Sequence, residues 1–142
     1  MKKYIVFILI ICTLFIGCNK DNNESKESEI VVNDIKVIIN KETYTLKLDN
    51  NDTAKEFINL LPKEYTMTEL NGNEKYIYLD NKLPTNSYNP NRINKFDVML
   101  YGNYCLVIFY KDFDTSYSYT KIGHIDNLGD LDSGNIIVKF EK

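Results

Sequence analysis

One thirteen-residue stretch, Phe113 to Ile125 (FDTSYSYTKIGHI), gathers two tyrosines, two serines, two threonines and the single histidine of the chain. His124 has the side chain best suited to general-base work, because an unperturbed imidazole titrates at about 6.5. Acyl-transfer chemistry would also need a nucleophile and an acid that orients the ring. Ser116, Ser118 and Asp126 are close in sequence, but neither serine sits in a Gly-x-Ser-x-Gly elbow. No catalytic residue is therefore expected here.

Other side chains suit binding better than catalysis. Tyr117 and Tyr119 are two apart, so on a strand they share one face, where they can line a ligand site or pack a barrel end. Arg92 is the only arginine beside 16 lysines, and its planar guanidinium can clamp a carboxylate or a carbonyl, or pair with a local acid. These three residues are the candidate ligand contacts. The aspartates of KDFDTSYS and DNLGDLDSGN (Asp112, Asp114, Asp126, Asp130, Asp132) lack the spacing of a calcium loop. One histidine and few thiols make zinc no better a fit. No metal or other cofactor is expected.

The start of the chain carries a different chemistry. Lys2 and Lys3 precede a thirteen-residue run, Tyr4 to Ile16, that is almost wholly apolar and closes on FIGC at Cys18. A spanning helix needs roughly 20 apolar residues; this run has the length of a signal-peptide core. FIGC resembles the bacterial lipobox, in which the cysteine thiol receives a diacylglyceryl group and becomes the new N-terminus. Residues 1–17 are thus expected to be removed and Cys18 lipidated. Residues 19–29 (NKDNNESKESE) hold no apolar side chain, so with Cys18 they read as a disordered tether, 18–29. Fully extended, that tether reaches roughly 35 Å. The expected location is the outer face of the cell membrane, or the outer membrane where a cell has one.

Processing would leave 15 basic and 20 acidic side chains, a net charge of −5. That balance gives no bulk attraction to nucleic acid, whose binding needs clustered cations. Cys105 alone would remain as a free thiol, inside the apolar run CLVIFY, where it reads as a small core hydrophobe. A monomer is expected.

The folded part, 30–142, must position these residues mostly on strands. Ile35, Val37 and Ile39 alternate, as do Tyr44, Leu46 and Leu48, with NKE between them as a hairpin turn. The segment NNDTAKEFINLLP predicts one helix over about 52–61, capped by Asn51 or Asp52 and stopped by Pro62. EYTMTEL and EKYIYLD flank the turn NGN. Residues 80–95 form a long polar loop, the kind that often carries function. FDVML and CLVIFY pair around Gly102-Asn103. CLVIFY is apolar on both faces, which predicts a strand covered on both sides. YTKIGHI and IIVKFEK complete the set. About eight short strands in one domain point to a mainly β, closed barrel, which removes exposed edges.

The order of TAKEFINLLP, MTELNGNEKYIYL, LPTNSYNPNRI, FDVMLYGNYCLVIFYKDFDTSYSYTKIGHI and GNIIVKF resembles the bacterial cyclophilin-like family of small β-barrel domains. The resemblance runs from about Ile35 to Phe140. It implies a closed barrel related to the cyclophilin prolyl isomerases, with the helix packed at one barrel end. In NRINKFD (91–97), Arg92, Ile93 and Asp97 match the family's Gly-Arg-Ile-His-Ala-Gly-Asp pattern; its glycines and histidine are replaced. Lysine or arginine is common in the family where this chain has His124. True cyclophilins carry an arginine over the substrate proline and a Gln-Gly-Gly-Asp signature, whereas this chain has no glutamine and no tryptophan. The expected function is a lipid-anchored, extracytoplasmic binding module for a peptide or small molecule, held at the barrel mouth near Arg92 and the tyrosines. The alternatives are a prolyl isomerase or foldase for exported proteins, and a structural or interaction lipoprotein.

Overall fold

A computed structural model describes residues 33–142. The expected signal peptide, Cys18 and the tether lie outside the described residues. Apolar residues at alternate positions build β1 (Asp34–Ile39) and β2 (Glu42–Leu48). Asn40 and Lys41 both take positive φ between them, the backbone that a two-residue hairpin turn requires. Helix α1 (Asp52–Asn59) follows, capped by Asn51, whose Oδ1 accepts from Ala54 N at 2.9 Å. The helix stops two residues short of the expected Leu61. Leu60 N and Leu61 N instead donate to Phe57 O and Ile58 O, tightening the last turn before Pro62. A residue preceding proline is sterically pushed out of the helical region, which accounts for the early end.

Strands β3 (Lys63–Leu70) and β4 (Glu74–Tyr78) form the next hairpin. Gly72 sits at φ +66° in its turn beside Asn71 at φ 55°, so the NGN reading holds for its conformational reason. The remaining elements are β5 (Arg92–Ile93), β6 (Asp97–Tyr101), β7 (Cys105–Phe109), β8 (Phe113–Asp114), β9 (Thr120–Asp126) and β10 (Ile136–Glu141).

Eight strands close an antiparallel barrel in the order β1-β10-β3-β4-β7-β6-β9-β2, and β5 pairs with β8 as a separate ribbon. The mainly β, closed-barrel expectation is met. Val37, Leu46, Met67, Val98, Leu100, Leu106, Ile108 and Phe140 fill the interior. Phe57 of α1 joins them, its ring edge-on to Phe140 with centroids 5.2 Å apart, so the helix plugs the barrel. A side chain of this size fully buried contributes about 2–3 kcal/mol.

Strand β7 is buried along its whole length. Leu106 and Ile108 face the barrel core, while Cys105, Val107 and Phe109 face outward into a second cluster with Ile93, Met99 and Tyr119. The cover on that outer wall comes from the long polar loop. Its residue Tyr88 exchanges backbone hydrogen bonds with Tyr119 at 3.0 and 2.9 Å, and Thr115 N donates to Asn91 O at 2.9 Å. Thr53 Oγ1 donates to Pro84 O at 2.7 Å and ties the same loop to α1.

Candidate functional site: a tyrosine-lined cleft on the outer barrel wall

Strand pairing sets outward-facing tyrosines on both sides of β7. Tyr78 on β4 and Tyr101 on β6 are both register partners of Cys105. Side chains alternate across a strand, so Tyr76 and Glu74 share the outward row with Tyr78. Beyond β6, the irregular segment 115–118 brings Tyr117 against Tyr101, with centroids 6.0 Å apart, and Tyr119 packs on Tyr101 at 5.6 Å. On the opposite side, Tyr76 and Tyr78 meet edge-on at 5.6 Å.

The result is a cleft of about 430 Å³, within the usual range for small-ligand sites. Its floor is Cys105 and Val107. One wall is Tyr76 and Tyr78, the other Tyr101, Tyr117 and Tyr119, and Leu70, Asn71 and Glu74 close one end. No lysine, arginine or histidine lines it.

Burial shapes the ionisable groups. It raises the Glu74 carboxyl above its ordinary range, with the charge of Glu69 as a second cause. It pushes the Cys105 thiol up to about 11, and the nearby Glu74 carboxylate adds to this. Tyr119 is also raised, chiefly by burial. At neutral pH the thiol is therefore protonated and a poor nucleophile. The cleft presents aromatic faces, phenol hydroxyls and one carboxyl, which are groups for recognition.

A family model described as the Cyclophilin-like family matches residues 37–141. The chain belongs to the cyclophilin-like family. Searches of curated proteins and of solved structures returned no match.

Within this cyclophilin-like barrel, Tyr117 and Tyr119 come together in the cleft, but on the side wall and not at a barrel mouth. They also do not share a strand face: Tyr119 makes an isolated bridge to Tyr88, and Tyr117 lies in irregular chain. Arg92 is not among the cleft residues. Its Nη1 donates to Asp114 Oδ1 at 3.0 Å across the β5–β8 ribbon, and both side chains are exposed. The local-acid partner weighed for Arg92 is thus present. Cys18 lies outside the described residues.

His124 meets Asp97 Oδ1 at 3.1 Å, not either serine. Two of the three aspartates of DNLGDLDSGN form ion pairs: Asp126 with Lys47 at 2.6 Å and Asp130 with Lys95 at 2.6 Å. Among the described residues no group of three or more His, Cys, Asp or Glu side chains converges.

Sequence reasoning did not single out Glu74, Tyr76, Tyr78 or Tyr101. The i, i+2, i+4 spacing of Glu74, Tyr76 and Tyr78 carried a signal, since it places all three on one face of a strand. Tyr101 carried none, because only barrel closure brings it opposite Tyr78.

Proposed function

We propose that this cyclophilin-like domain is a lipid-anchored, extracytoplasmic binding module whose ligand, a peptide or small molecule, lies in the outer-wall cleft and contacts Tyr117 and Tyr119. The observation that carries the ligand reading is the cleft itself. Tyr78, Tyr101 and Tyr117 remain exposed around a buried apolar floor. Monomeric domains seldom leave clustered aromatics uncovered without a use for them. The anchor rests on the sequence: Lys2-Lys3, the apolar run 4–16, FIGC and the polar tether behind Cys18.

Two experiments test this reading. A thermal-shift screen of peptides and metabolites should find compounds that raise the melting point, and Tyr101→Leu should reduce the shift. A screen without any shift would leave a structural or interaction lipoprotein as the better reading. Metabolic labelling with a fatty acid should mark the chain in a bacterial host, and Cys18→Ser should remove the label.

Family membership favours a second reading, a prolyl isomerase or foldase. The engagement of Arg92 by Asp114 at the surface speaks against it, because that guanidinium is not placed over the cleft. Proline isomerisation above background that disappears in Arg92→Ala would reverse this preference.

A further inference from the structure

The charge pattern of the cleft narrows its ligand. Five phenol rings line it, and the face of each ring carries a negative quadrupole that attracts cations. Its one carboxyl is Glu74, which is half-buried and, among the described residues, has burial and the charge of Glu69 around it but no ion pair. The other carboxylates near it are satisfied: Glu69 pairs with Lys75 and accepts from Tyr110 Oη at 2.7 Å. The lining brings no positive charge. Aromatic rings beside an unpaired carboxyl at one end, with apolar Cys105 and Val107 beneath, complement a cation that carries alkyl groups.

We propose that the cleft binds an organic cation, an alkylated ammonium or a guanidinium, free or carried on a peptide side chain. The inference rests on the binding-module reading above and assigns its ligand chemistry. Glu74 supplies the counter-charge. Tyr101, which touches both Tyr117 and Tyr119, supplies the central aromatic wall.

The test uses the full chain in maltoside micelles, titrated calorimetrically at neutral pH. Choline is compared with its neutral isostere 3,3-dimethylbutan-1-ol, and N-acetyl-arginine amide with N-acetyl-citrulline amide. Each cation should bind about tenfold more tightly than its neutral partner, a difference within the range of desolvated cation–π contacts plus a counter-ion. Choline binding alone would identify a free alkylammonium compound, and binding of the arginine amide a side chain. Glu74→Gln and Tyr101→Leu should each weaken the cation at least about fivefold, and the neutral isostere by less. Both positions are at least partly exposed, and circular dichroism checks the fold of each variant.

Equal binding of cation and isostere, or cation binding that survives both variants, overturns the inference. Melting-point shifts with neutral compounds, in a protein that binds neither cation, overturn it while leaving the binding module intact. No shift with any compound overturns both.

Discussion

Asp97 and His124 face each other across the β6–β9 ladder, with Asp97 Oδ1 3.1 Å from His124 Nδ1. The same oxygen lies 3.1 Å from Lys121 Nζ, and the aspartate is buried while both partners reach solvent. This cluster clamps two strands and has no nucleophile in it. Asp97→Ala should cost about 2 kcal/mol, since it removes the charged acceptor that Lys121, His124 and Asn94 N share. His124→Ala should cost less than about 1 kcal/mol, the usual worth of a half-exposed pair. Urea denaturation monitored by circular dichroism separates the two, and a larger loss for His124→Ala would contradict the assignment.

Lys75 is fully buried on a strand whose alternate residues face the cleft. Its ammonium pairs with Glu69, donates to Asp132 O at 2.7 Å and Gly134 O at 2.6 Å, and lies 4.8 Å from the Tyr110 ring centroid. Lys75→Ala leaves the Asp132 and Gly134 carbonyls without this donor and Glu69 without its counter-charge, and should cost about 3–5 kcal/mol. The measurement is the shift of the urea midpoint at unchanged slope.

Tyr110 gives the same region an alkaline limit. Burial, then the hydrogen bond to Glu69, pushes its phenol from 10.0 up to about 12. The folded state therefore holds a proton that the unfolded state releases above about 10. Stability contributed by the protonated phenol is complete below that pH and is lost as pH rises toward about 12. Tyr110→Phe should flatten this part of the stability–pH curve, and an unchanged curve would count against the assignment.

Gly123 on β9 pairs with Leu48 on β2. A Cβ added there would stand 2.2 Å from the Lys47 carbonyl oxygen and 2.9 Å from a Leu46 methyl. The carbonyl is backbone in a paired strand and cannot step aside. Gly123→Ala should destabilise by about 3 kcal/mol, at the upper end for overpacking. A thermal melt within a degree of the parent would show that the strands can separate locally.

Cys105 should be inert in the folded protein. With its thiol pushed up to about 11, the thiolate at pH 7.5 is on the order of one in several thousand. Iodoacetamide followed by peptide mapping should leave Cys105 unlabelled in native buffer and label it in urea. A ligand seated on the cleft floor should slow any residual labelling further.

Much of the barrel was legible along the chain because its signals are local. The alternation of Ile35, Val37 and Ile39, the Asn71-Gly72 turn, the Asn51 cap and the doubly apolar CLVIFY each depend on residues within a few positions. Each reports a backbone conformation or a buried face that neighbouring residues set. Lys75 was not legible: a lysine inside EKYIY reads as a solvent-facing residue, and only the distant carbonyls of Asp132 and Gly134 make its burial tolerable. Nor were the attachments of the long loop legible: Tyr88, Asn91 and Pro84 bind it to the wall and the helix.

By itself the sequence determined the eight barrel strands, the helix and the aromatic and acidic residues available for a site, but not the β5–β8 ribbon, whose β5 falls inside the expected loop. The tertiary structure alone decided which of them meet. Tyr78 and Tyr101 share a partner in Cys105 because β7 lies between β4 and β6, and strand order is a property of barrel closure, set by packing between residues far apart in the chain. The separate β5–β8 ribbon leaves Arg92 at the surface with Asp114.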